Sequence, residues 1–235
     1  YWYFSAYFAL FLLMPFLDSA LTALSPASAK RLVLALIAVF SLADFISPEE
    51  IFSTRGGYSV AWLAVLYLLG GCLRLHPPAR LPRPWLLLAG YVGFSLLALV
   101  GKTFGVSQPG TFFKWGILLS YTSPLILLAA LCLFLALYRL PPLPAPIARV
   151  VSFCAPLSFG VYLLHSHPLV WSHLLAGRTA FLAQFSTPLC LAGALAVGLA
   201  IFIVGIGVDY VRSLIFRAGG HLIGRLRADR SAPVN

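Results

Sequence analysis

Residues 150–171 read VVSFCAPLSFGVYLLHSHPLVW, twenty-two positions without one Asp, Glu, Lys or Arg. A helix rises about 1.5 Å per residue, so this stretch reaches ~33 Å, close to the ~30 Å of a bilayer's hydrocarbon core. It reads as a membrane-spanning helix. Outward from it, apolar runs occupy residues 1–24, 31–46, 58–75, 85–101, 116–138 and 186–208, which with 150–172 make seven. None alternates apolar and polar residues as the strands of a membrane barrel must, and lipid tolerates no open sheet edge. Between them lie SPASAK, SPEEIFSTRGG, HPPARLPRP, KTFGVSQPG, RLPPLPAPIAR and the stretch around Gly177 and Arg178, rich in the Pro, Gly, Ser and charged residues of aqueous loops. The expected fold is all-α, a polytopic transmembrane helix bundle of about seven spans over residues 1–211, followed by a basic tail at 212–235.

Composition agrees. Of 235 residues 61% are hydrophobic and 9% charged, against roughly 25% charged in a soluble domain, and a mean hydropathy of +0.96 excludes an ordinary soluble globule. Sixteen Lys+Arg against six Asp+Glu give a net charge of +10. Outside the tail the basic residues form no dense tract, so membrane topology accounts for them and no nucleic-acid partner is expected. Cys72, Cys132, Cys154 and Cys190 stand singly in apolar stretches, without CxxC spacing or a cluster of His. They read as small buried residues, and neither a disulfide nor a metal site is expected.

The bias of Lys and Arg between alternate loops sets the orientation. With the tail inside, Lys30, Arg31, Arg74, Arg80, Arg83, Arg139, Arg149, Arg212, Arg217, Arg225, Arg227 and Arg230 are cytoplasmic, leaving Arg55, Lys102, Lys114 and Arg178 outside together with Glu49 and Glu50. Trp2, Trp85, Trp115 and Trp171 fall near span ends, where amphipathic rings favour the headgroup level. The first run has no basic n-region and no cleavage site, and the only methionine is Met14. A signal peptide is thereby excluded. We expect a fragment lacking an odd number of upstream spans.

Ser158, Tyr162 and His165 are spaced i, i+4, i+7, which puts them on one face of an otherwise apolar helix. An ionisable side chain at membrane depth faces a bundle interior or a water-filled cavity. His165 is therefore a candidate pocket residue, the alternative being a histidine bonded to a neighbouring helix for packing. Pro168 removes a backbone donor and bends the chain there, while His167 and His173 read as interfacial. Tyr1, Tyr3, Ser5 and Tyr7 stand at the outer end of the first run, as interface anchors or as substrate contacts, and Asp18 near its inner end is placed to cap the Lys30/Arg31 loop. Ser120, Tyr121, Thr122 and Ser123 form a polar cluster before Pro124 that either lines a cavity or satisfies carbonyls the proline releases. Ala192, Ala196 and Ala200, with Gly193, Gly198, Gly205 and Gly207, mark a close-packing face. No Walker, GxGxxG, GxSxG or HExxH motif occurs.

Four stretches, YWYFSAYFALFLLMPFLD, GGYSVAWLAVLYLLGGCLRLH, SFGVYLLHSHPLVW and the closing VDYVRSLIF, resemble the acyltransferase-3 family of bacterial integral-membrane O-acyltransferases. The likeness runs over nearly the whole chain. It implies ten spans with both ends cytoplasmic, of which these would be the last seven, and transfer of an acyl group, commonly acetyl from acetyl-CoA, to hydroxyls of cell-surface glycans. It implies an inner-membrane location and a donor substrate rather than a bound cofactor. The family's catalytic histidine and arginine pair belong to an N-terminal part without counterpart here, so the resemblance leaves the catalytic residues unassigned and this chain alone inactive. It retains His165, which matches a recurrent family position, as the candidate, with Ser158, Tyr162, Tyr3 and Tyr121 as acceptor-side residues. Arg74, Arg80 and Arg83 would attract a polyanionic CoA, although topology explains them equally. The other class of function open to the residues alone is a secondary transporter or glycan-translocating protein with His165 relaying protons.

Overall fold

The computed structural model describes residues 2–46, 52–106 and 118–230; Tyr1, Glu49, Glu50, Lys114 and Trp115, named above, lie outside the described residues. Every regular element among the described residues is helical. The chain divides into two compact units, Trp2–Pro141 and Pro142–Asn235, each with its own packing.

In the first unit α1 spans Trp2–Thr22 and α2 spans Pro26–Ile37, and α2 continues through a π-helical turn at Ala38–Ala43 into Asp44–Ile46. Helices α3 (Val60–Leu75), α4 (Pro84–Val106) and α5 (Pro124–Tyr138) follow. Their starts are written locally. Ser25 accepts the Ser28 N–H at 3.2 Å before Pro26, and Ser59 accepts the Trp62 N–H at 3.2 Å, each satisfying an orphan donor of the first turn. Helices α1 and α3 run parallel: the Trp2 and Tyr58 rings meet at 4.5 Å at one end, and Leu21 packs with Ala29 and Cys72 at the other. Glycine permits that approach, since a Cβ at Gly71 would lie 2.5 Å from a Leu21 methyl. The main core gathers Leu36, Trp62, Val65, Leu69 and Leu127. Near the ends of α3 and α5, Arg139 donates to the carbonyls of Leu81 and Pro82 at 2.6 and 2.9 Å, closing the loop before α4.

The second unit holds α6 (Ala145–Cys154), a 3-10 turn at Ala155–Leu157, α7 (Ser158–His165) and the long α8 (Thr187–Arg230), which continues through residue 211 without a break. Val161 and Leu157 of this hairpin pack on Ile206.

Large apolar side chains stay uncovered along the helices; Phe16 is 74% exposed and Leu195 67%, which in water would be an aggregation surface and in a bilayer is the lipid face. The chain is a multi-pass membrane protein. Four helical stretches, Trp2–Thr22, Pro84–Phe104, Ala145–His165 and Thr187–Gly219, are long and apolar enough to cross a membrane. These answer to four of the seven apolar runs. The run at 58–75 yields the sixteen residues of α3 and the run at 116–138 only the fifteen of α5, because Ser120–Ser123 turn before Pro124. The run at 31–46 is carried through a π turn.

Candidate active site

Proline places the histidines of the second unit. Pro168 cannot continue α7, and the residue before a proline is driven to extended backbone, so His167 sits at φ −63°, ψ 130° and caps the next turn by accepting the Leu169 N–H on Nδ1 at 3.2 Å. His165, the last residue of α7, stays helical, and its Nδ1 lies 2.9 Å from the Val161 carbonyl. A carbonyl only accepts, so Nδ1 carries the hydrogen and neutral His165 keeps its lone pair on Nε2. Neutral His167, whose Nδ1 accepts, carries its hydrogen on Nε2. Two residues apart, the rings thus take opposite tautomers.

The expected polar face is assembled only in part. Tyr162 and His165 meet edge to face at 5.8 Å, and Phe159 stacks on Tyr162 at 6.0 Å. Ser158 is exposed, and its hydroxyl turns back to the Ala155 carbonyl at 2.7 Å. Tyr3 and Tyr121 belong to the first unit, where Tyr3 stacks on Tyr7 at 6.1 Å and Tyr121 packs on Tyr58 at 5.2 Å. Tyr58 also touches Trp2, making a Trp2–Tyr58–Tyr121 chain of rings. Asp18 does not cap the Lys30/Arg31 loop: it accepts the hydroxyl of Tyr67.

The serine and threonine cluster before Pro124 has a definite job. Pro124 opens α5 at the first helical position, where its missing N–H leaves no carbonyl stranded. The hydroxyls instead tie loops together: Ser41 donates to the Thr122 carbonyl at 2.7 Å, Ser120 to the Gly56 carbonyl at 3.1 Å, and Thr54 to Asp44 at 3.3 Å. Ser41, Asp44, Thr54, Thr122 and Ser123 are all buried. The loop they hold is strained, with Ser53, Arg55, Gly56 and Gly57 at positive φ.

A groove of about 550 Å³ runs between α7 and α8, walled by Pro156, Phe159, Leu163, Leu164 and Val208. Asp209, Arg212 and His167 also line it. Asp209 is 5% exposed, and it fits because residue 160 is glycine: a Cβ there would lie 2.2 Å from the Asp209 carboxyl carbon. Burying a lone carboxylate is costly, and Arg212 offsets that cost with a two-pronged contact, Nε to Oδ1 and Nη2 to Oδ2 at 3.1 Å. Sequence reasoning passed over Gly160, Asp209 and Arg212, although the i, i+3 Asp–Arg spacing was there to be read. A second groove of about 520 Å³ lies between α2 and the end of α3, with Lys30 and His76 among its walls.

A family profile described as an acyltransferase domain matches residues 1–207, which take in α1 through most of the apolar part of α8. The chain belongs to the acyltransferase-3 family. No curated protein matches it. No solved structure matches it either. For an acyltransferase the required equipment is a group that accepts a proton from a hydroxyl and a cavity that holds the acyl donor. The second unit of this acyltransferase holds the His165 imidazole and, on the neighbouring face of α7, the α7–α8 groove, which His167 lines and His165 does not. Among the described residues no three His, Cys, Asp or Glu side chains converge as a metal site would require.

Proposed function

We propose that this membrane acyltransferase moves an acetyl group from acetyl-CoA to a hydroxyl of a cell-surface glycan or related acceptor, in the inner membrane of a bacterium. The observation that carries the reading is the His165 ring, anchored through Nδ1 to Val161 in a helix of the family's domain, which leaves the lone pair of the neutral ring on Nε2. In this reading Nε2 takes the hydroxyl proton as the oxygen attacks the thioester carbonyl; the new C–O bond forms, the C–S bond breaks, and the departing thiolate recovers the proton. A hydroxyl is a weak nucleophile near neutral pH, so the base matters most at that step. In this reading Tyr162, whose ring meets His165, faces the acceptor, an aromatic face suiting the apolar face of a sugar ring. All seven apolar runs cross the membrane in this reading, residues 26–46 as one continuous helical rod, and the C-terminal tail lies in the cytoplasm where the CoA donor is.

The test is transfer from radiolabelled acetyl-CoA by membranes containing this chain together with the upstream spans the resemblance implies. Alkali-labile label in surface glycan is the expected result. Movement of glycan across the membrane without covalent change would replace the enzyme by a transporter.

A further inference from the structure

Resting on the reading above, we propose that the α7–α8 groove holds the CoA thioester, with Arg212 as the ligand of its phosphate groups and Asp209 and Gly160 as the residues that position Arg212. A guanidinium has five N–H donors. Two engage Asp209, and three are left for an oxygen-rich anion. The group is also fixed from its other side, 5.7 Å from the centre of the Phe216 ring, so its free edge has a set direction before any ligand arrives. That favours binding because little ordering remains to be done. The Asp209–Arg212 pair is neutral as a whole, so recognition comes from directed donors on a planar fork, the geometry that suits phosphate.

The Arg212 side chain is 57% exposed, so a water-soluble phosphate can reach its free edge. The groove runs between apolar walls and takes in His167; His165 does not line it and stands five residues beyond Gly160 on α7, ~7.5 Å along the helix. A ligand with a polyanionic head and a slender thioester arm matches a groove charged at its mouth and apolar within. Exposed Arg217, five residues past Arg212, adds to the attraction.

The experiment is steady-state transfer by the complete protein in nanodiscs, with acetyl-CoA and with the phosphate-free thioester S-acetylpantetheine as donors, together with direct binding of labelled CoA. Arg212→Gln is expected to raise KM for acetyl-CoA by ~10–100-fold, the range of a charge-assisted hydrogen bond, with kcat changed much less and KM for S-acetylpantetheine unaltered. Arg212→Lys, which keeps the charge and loses the fork, should fall between. Lys30→Gln, in the other groove, should leave all three quantities as they are. Active Arg212→Gln with unchanged KM for acetyl-CoA would overturn the proposal. So would a variant whose KM is unchanged but whose activity loses its dependence on anionic phospholipid in the disc, since the groove would then hold a lipid headgroup. CoA binding that depends on Arg212, in a protein that transfers nothing, would leave the groove standing and bring down the enzymatic reading alone.

Discussion

Each unit of this chain buries polar groups among apolar helices, and the two do so in opposite ways. In the first unit, Ser41, Thr54, Ser120 and Thr122 direct their hydroxyls at carbonyls, a carboxylate or one another, around a loop with positive φ at Ser53 and Arg55–Gly57, while Asp44 Oδ1 and Ser123 Oγ stay buried without a hydrogen-bond partner. In the second, the Asp209 carboxylate is enclosed by Gly160 and Arg212, but the arginine keeps donors to spare and His165 keeps a lone pair. A network of buried hydroxyls bonded mainly to one another and to the backbone specifies a fold. One that leaves defined donors and acceptors over, beside a groove, is equipped to bind and react. Substitutions in the first cluster should therefore cost stability, and those in the second should cost transfer.

The largest effect is expected at His165. His165→Ala removes the free Nε2 and should lower kcat by ~10²–10⁴-fold, the usual contribution of an acid–base group, while membrane level and thermal midpoint stay near those of the parent. His165 is half-buried and touches the rest of the unit through Tyr162 and Val161, so little packing is lost. Near-normal acetylation by this variant would make His165 a packing residue and remove the chemical half of the comparison.

Next comes Gly57, at φ +101°, where a Cβ would stand 2.3 Å from Cβ of Tyr121. Gly57→Ala imposes both backbone strain and a clash that no side-chain rotation relieves, so a loss of about 1–3 kcal/mol is expected. The measurement is the midpoint of thermal inactivation in detergent, with KM of the surviving enzyme as the control. A normal midpoint with an altered KM for the acceptor would turn the first cluster from a structural device into a binding one. Ser41→Ala should act in the same direction and less strongly, by about 1–2 kcal/mol, by leaving the buried Thr122 carbonyl without its 2.7 Å partner.

Apolar length and loop composition were sufficient to read the helical membrane architecture, because helix and lipid each impose a simple constraint on residue type. Interruptions were harder to see. A π turn at Ala38–Ala43 adds a residue to the helical turn without any compositional mark, and the run before Pro124 looks continuous although the chain turns at Ser120–Ser123. The tautomers of His165 and His167 follow from Pro168, a local rule legible in SHP. The Gly160–Asp209 contact joins residues forty-nine positions apart, and no local pattern announces that a glycine in one helix is the seat of a carboxylate in another. Seen in sequence, the i, i+4, i+7 spacing pointed to the face of Ser158, Tyr162 and His165. The groove instead opens on the face of Phe159, Gly160 and Leu163, one residue around the helix.

The smallest effect separates those two faces. Ser158 was expected on the substrate side because it shares a helical stripe with Tyr162 and His165, yet its hydroxyl donates to Ala155 at 2.7 Å on an exposed surface of the turn that Pro156 introduces. That bond is local and replaceable, since an exposed substitution away from buried features usually shifts free energy by less than about 0.5 kcal/mol. Ser158→Ala should therefore leave KM for the acceptor and kcat within ~2-fold of the parent, in the same membranes and assay used for His165→Ala. If the alanine variant instead loses transfer ~10-fold or more at a normal thermal midpoint, the serine hydroxyl leaves Ala155 for the substrate during the reaction. The working face of α7 would then be the stripe of Ser158, Tyr162 and His165, and the groove beside it would have to supply the donor alone.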